Sequence, residues 1–143
     1  VDVLTLLIFL ALVSALVATN ERIVLEWAVA EPKLAKPAVK VLLNLAAIGM
    51  DALVRGGTLL VGAETRSGMT EIVVRASGPR VVFDATVGQA LDGSLDASEL
   101  SGRTAPAHMI RLLVAEQGGT LQYAKGDDAL VLGAALPAPD LIG

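Results

Sequence analysis

The sequence predicts an α+β two-layer sandwich, with helices on one face of a mixed, mainly antiparallel sheet. Three observations carry this expectation. The stretch Pro37–Gly57 (PAVKVLLNLAAIGMDALVRGG) has a broad apolar face at helical spacing. Two pairs of β-rich runs flank short glycine-containing turns, as hairpins do. A further helix, opened by Thr104 and Pro106 and closed by Gly118-Gly119, lies between the two hairpins.

The elements follow in order. Residues 1–20 form an apolar segment in which only Thr5 and Ser14 are polar between Val3 and Ala18. That run is short for a membrane span, and with Asp2 as its early charge it lacks the basic start of a signal peptide. It is expected to be a packing helix, not an anchor. Residues 21–143 form the second unit. Arg22–Val29, rich in β-branched residues and carrying Trp27, reads as a strand. In the long helix, Pro37 suits the first turn, Arg55 is expected in the last turn, and Gly56 and Gly57 are expected to close it. Thr58–Glu64 and Thr70–Ser77 read as a hairpin around Ser67-Gly68. Ser77-Gly78-Pro79 breaks the chain, and Asp84 is placed to cap a short helix towards Leu91. Asp92–Gly102 is polar and glycine-punctuated, a surface loop with room for a turn of helix. Thr104 is expected to cap the next helix, whose Met109, Ile110, Leu112, Leu113 and Val114 supply apolar surface. Leu121–Ala124 and Ala129–Ala135 form the last hairpin around Gly126-Asp127-Asp128.

Composition narrows the function. The 143 residues are 54% hydrophobic, with mean hydropathy +0.66, more apolar surface than one small domain needs for its own core. A second copy or a partner is therefore expected to cover some of it. The net charge of −4 and the scattered Lys and Arg argue against nucleic acid as a partner. Without Cys there is no disulfide, Cys-ligated zinc or thiol catalysis. One His and no His/Asp/Glu cluster give no metal site, and no bound cofactor is expected. Asp84, Asp92 and Asp96 share no helical face, which disfavours a paired-carboxylate acid–base site.

Three segments resemble a known fold. LLNLAAIGMDALVRGGTLLV is similar to the asparagine-box helix of histidine-kinase ATPase domains (the Bergerat fold), with Asn44 on the family's first Asn and Gly56-Gly57 on its glycine pair. EIVVRASGPRVVF resembles the next box, with Gly78-Pro79 in register. TAPAHMIRLLVAEQGGTLQY resembles the last box and its helix, with Gly118-Gly119 in register, and residues 130–137 resemble the closing strand. The resemblance covers roughly residues 22 to 137 in order and spacing.

The departures fall on the groups that hold a nucleotide. The family's Mg²⁺-holding second Asn is matched by Ile48, which cannot coordinate a hard cation. The Asp that accepts from adenine is matched by Ala76, which has no acceptor. A box glycine is matched by Arg80, and the phosphate-cradling glycines by Thr104 and Pro106, of which Pro106 lacks a donor N–H. The implied domain has the ATPase fold and binds no ATP.

That character resembles bacterial histidine phosphotransferases of the ChpT type. The resemblance implies a cytoplasmic homodimer whose N-terminal helical hairpins form a bundle carrying a phosphorylated His in a His-Asp pair. It implies response-regulator receiver domains as partners. Residues 1–20, the expected remnant or part of that hairpin, contain no His, so the phosphoacceptor lies outside this sequence or has been lost. His108 falls on an alanine of the family's last-box helix and inherits no phosphoacceptor role; it reads as a solvated or core-edge side chain. Asn44 reads as an amide bonded to local backbone, with a relic contact in the vacated cleft as the alternative. No catalytic, cofactor-binding or metal-binding residue is assigned. Two further readings stay open: a non-catalytic interaction module, and a divergent ATP-dependent kinase domain.

Overall fold

The computed structural model describes residues 23–29, 34–102 and 104–137, with the side chain of Ala97 left aside. The expected N-terminal helix of residues 1–20 and its place in a dimer bundle lie outside the described residues.

Five strands form one sheet: β1 (Ile23–Val29), β2 (Gly57–Arg66), β3 (Met69–Ser77), β4 (Thr120–Lys125) and β5 (Ala129–Pro137). Their spatial order is β1-β2-β3-β5-β4. β1 runs parallel to β2, and the other three pairings are antiparallel, as the sequence predicts. The parallel pair is joined through helix α1 (Lys36–Ala52), because parallel neighbours need a crossover. Helices α2 (Ala85–Asp92) and α3 (Ala105–Glu116) complete the second layer.

One side of the sheet carries the core. Alternation along the strands sends Leu59 and Val61 of β2, Ile72, Val74 and Ala76 of β3, and Leu130 and Leu132 of β5 to the same face. Val41, Leu42, Leu45 and Ala46 of α1 and Ile110 and Val114 of α3 are buried with them in one cluster. α1 comes close to the sheet at Gly49: a β-carbon there would lie 2.8 Å from Leu59 Cδ1 and 3.0 Å from Val74 Cγ1.

The β2–β3 turn is tighter than its flanking polar run suggests. Arg66 pairs with Met69, leaving only Ser67 (φ 53°) and Gly68 (φ 77°) as the loop. Two consecutive left-handed residues make this the type I′ connection that suits strand twist. Asp84 caps α2 as expected, its Oδ1 accepting from the Thr86 N–H at 2.8 Å. The Asp92–Gly102 loop holds one short 3-10 turn, Ala97–Glu99.

Two expectations are corrected. α1 ends at Ala52, not at the glycine pair, so Arg55 is outside its last turn. Leu53 turns inward instead and is 1% exposed, with its N–H donating to the Met50 carbonyl, and Gly56 N–H closes a turn onto the Leu53 carbonyl. Burying a leucine outweighs extending an exposed helix end, so Gly56 and Gly57 serve the start of β2. Thr104 does stand at the start of α3, but its side chain does not cap the helix. Its Oγ1 accepts from the Ser101 N–H at 3.0 Å, holding the preceding loop.

Candidate functional site

The positions that match the nucleotide motifs gather around α1, the end of β3 and the start of α3. Asn44 is half-buried on α1, and its Nδ2 donates to the Lys40 carbonyl at 2.8 Å. That is the local backbone bond the sequence favours. Ile48, one turn on, is partly buried and packs against the core. Ala76 is fully buried in β3, on the sheet face that α1 covers. The nearest groups to an added Gly49 β-carbon are Leu59, Val74 and, at 3.8 Å, Ala76. The place of the adenine-binding acceptor is thus apolar and sealed beneath α1.

Beyond Ala76 the chain turns sharply. Gly78 N–H donates to the Asp128 carbonyl at 3.1 Å, tying the end of β3 to the β4–β5 turn. Arg80 is exposed. Val81 is buried, and Val82 N–H donates to the Ala52 carbonyl at 2.9 Å, so the segment lies along the C-terminus of α1. Phe83 then meets Tyr123 of β4, with ring centroids 5.2 Å apart. A β-carbon on Gly88 would lie 2.6 Å from the Tyr123 hydroxyl, so a side chain there would push the ring end aside.

The α2–α3 connection is the surface loop that leads into the last-box match at Thr104. After Gly93, in the left-handed conformation, Asp92 Oδ1 accepts from the Ser94 N–H at 2.8 Å and the Ser94 hydroxyl at 2.6 Å. These bonds, the hydroxyl first, hold the Asp92 carboxyl below its ordinary range, and Arg111 adds to the effect. The Arg111 guanidinium lies against Gly93, a contact no local motif announces because the two are brought together by α3 packing. The Thr104 N–H donates to the Ser101 carbonyl at 3.2 Å and Pro106 has no N–H, so neither presents the free backbone donor of a phosphate loop. His108 is half-buried on α3. Among the described residues no group of three His, Cys, Asp or Glu could hold a metal ion.

Two cavities lie elsewhere. One, of about 280 Å³, sits at the α1 N-terminus between Pro37, Thr70, Gln117 and Leu136. The other, of about 460 Å³, is a shallow hollow lined by Ala28, Gly62, Val73 and Gly133. It lies on the sheet face away from the helices.

This arrangement is a histidine-kinase-type ATPase fold with its nucleotide-binding groups replaced. The model of the histidine phosphotransferase C-terminal domain matches residues 10–129, and the chain belongs to that family. Among solved structures it is similar to a bacterial phosphotransferase, at 26% identity and a TM-score of 0.71, over 85% of this chain and 61% of that one. This chain therefore spans less than two thirds of that protein. The fold is shared with the nucleotide-free catalytic domain of the histidine kinase ThkA (18% identity, TM-score 0.66, 93% of this chain and 92% of that one). It is shared also with full-length ShkA, solved in complex with AMPPNP (20% identity, TM-score 0.67, 94% of this chain and 30% of that one). No curated protein matches the sequence.

Proposed function

We propose that this chain is the recognition domain of a phosphorelay histidine phosphotransferase, docking response-regulator receiver domains without binding ATP. The observation that carries the reading is the coincidence of family and site. A phosphotransferase-domain match runs from residue 10 to 129, and the adenine-acceptor position within it is the fully buried Ala76. Ile48 in place of a cation-holding amide supports the same reading. In such a relay a receiver's aspartyl phosphate passes its phosphoryl group to an imidazole nitrogen, and a second receiver's Asp takes it on. The receiver supplies Mg²⁺, and the phosphotransferase supplies position. His108, half-buried on α3 and matched to an alanine of the kinase helix, is not assigned as the acceptor. The acceptor belongs to the helical hairpin of a cytoplasmic homodimer.

The test has two arms. The chain's melting temperature is expected to stay unchanged with Mg-ATP, since a ligand that binds only the folded state must raise it. A phosphorylated receiver is expected to bind and, where a hairpin bearing the His-Asp pair is supplied on the same polypeptide, to lose its phosphoryl group to it. A shift of several degrees with Mg-ATP would return the divergent-kinase reading. Receiver binding with no transfer in the hairpin-bearing protein would leave a non-catalytic interaction module.

A further inference from the structure

The sheet face opposite the helices is uncovered by any described element, and it is self-complementary in a way its strand register defines. β3 is the central strand of five, and Val73 is at its middle, 39% exposed. The register places Val73 in a row across the whole sheet: Ala28, Gly62, Val73, Gly133 and Gln122. Two residues from Val73 in one direction on the same face is Glu71, and two residues in the other is Arg75; both are exposed. They are about 13 Å apart along the strand, too far to pair with each other. The only ion pair among the described residues is between Arg66 and Glu64, so neither has a salt-bridge partner there. Glu71 stands directly opposite Glu64 in the β2–β3 ladder, and the Arg66 guanidinium that pairs with Glu64 also attracts Glu71.

We infer that this open sheet face is an interface with a second copy of the chain, related by a two-fold axis that crosses the strands at Val73. Only two in-plane two-fold axes through Val73 stack the sheets in register. An axis along β3 sets Glu71 on Glu71 and Arg75 on Arg75. An axis across the strands sets Glu71 of each copy on Arg75 of the other and Val73 beside Val73. Charge selects the second. On β5 the same axis places Ala135 over Val131 and Gly133 over Gly133, apolar or small against the same, and on β2 it places Glu64 over Leu60. The glycines flanking Val73, Gly62 and Gly133, line a shallow hollow with it. The pairing accounts for apolar surface that the composition predicts to be in excess.

The face is about 19 Å across the strands and about 17 Å along them, so the two copies together bury about 650 Å², below the roughly 1,200 Å² at which stable specific interfaces begin. The association is therefore weak, micromolar or looser.

Sedimentation equilibrium of the full 143-residue chain from about 5 to about 500 µM tests this. The average mass is expected to rise with concentration. Glu71→Arg and Arg75→Glu are each expected to move that rise to about tenfold higher concentration, while an equimolar mixture of the two variants associates at least as well as the parent. Glu71→Gln and Arg75→Gln should act in the same direction, more weakly. A mass independent of concentration overturns the proposal, and so does a rise that the four variants leave in place. Because the chain has no Cys, Val73→Cys gives one thiol to probe with a maleimide. Protection that grows with concentration supports the second copy. Protection at every concentration means that the chain's own residues cover the face, and overturns it.

Discussion

Gly57 at the start of β2 and Gly78 just past the end of β3 touch backbone to backbone. A β-carbon on Gly78 would lie 3.2 Å from the Gly57 Cα and 2.5 Å from the Gly56 carbonyl oxygen. Gly57 itself has φ 134°, a conformation that side chains disfavour. Two glycine motifs that are separate in sequence are therefore one packing device, closing the sheet beneath the C-terminus of α1.

Gly78→Ala is expected to destabilise the domain by about 2–3 kcal/mol, the upper part of the range for overpacking, because the obstructing atoms are main chain and cannot rotate away. A melt should show a loss of roughly 10 °C. Gly68→Ala is the control. Its added β-carbon meets nothing within 4 Å, so only its φ of 77° opposes the change, and the loss should be about 1 kcal/mol.

Thr104 is one of two buried polar side chains in the described core, and its oxygen serves the Ser101 N–H instead of the α3 terminus. Thr104→Val keeps the shape and removes the acceptor. The expected cost is about 1–2 kcal/mol by urea denaturation, the penalty for an N–H left without its partner. Thr104→Ser keeps the acceptor and should cost only the burial of one methyl group, about 1 kcal/mol.

Asp92 gives the fold a small acid sensitivity. Its carboxyl is held below the ordinary value by the Ser94 hydroxyl first and the Ser94 N–H second. A carboxyl depressed in the folded state adds stability above its unfolded pKa, and that contribution is lost as pH falls through the folded value. Asp92→Asn should therefore lower the melting temperature slightly at pH 7, and the difference should shrink as pH falls and the parent's carboxyl takes up its proton. The side chain is exposed, so the difference will be small.

Most of the architecture was legible because each element signs its own boundary. The Ser67-Gly68 turn, the Asp84 cap and the strand alternation of β3 and β5 are local chemistry, and the structure follows them. The misreadings have a common cause. Arg55 and the glycine pair looked like a helix end, but the burial of Leu53 by distant strands ends α1 sooner. Thr104 looked like a cap, but the loop before it claims its oxygen. Contacts made by tertiary packing, such as Arg111 on Gly93 and Tyr123 across Gly88, leave no local signature. The replacement of the motif's cation-holding and adenine-accepting residues by Ile48 and Ala76 was legible, because an absent acceptor is visible in a residue's identity alone. Which face a partner covers was not, since Glu71, Val73 and Arg75 acquire meaning only when β3 is known to be the central strand.

The burial of Ala76 bears on whether an acceptor at this position would support nucleotide binding. The position is fully buried beneath α1, between Leu59, Val74 and the helix at Gly49. A carboxylate there would have to lose its water with no described cation to meet it, and a carboxyl that stays protonated to avoid this still needs hydrogen-bond partners. Ala76→Asp is expected to cost at least about 3 kcal/mol in urea unfolding at pH 7, with the loss shrinking as pH falls towards about 4 and the group is neutralised. Adding Ile48→Asn supplies an amide near the core but opens no cleft, so the double variant should gain no thermal shift with Mg-ATP. A gain of several degrees in the double variant would show that the two side chains alone separate this domain from its ATP-binding relatives. The expected null result places the difference in the packing of α1 on the sheet.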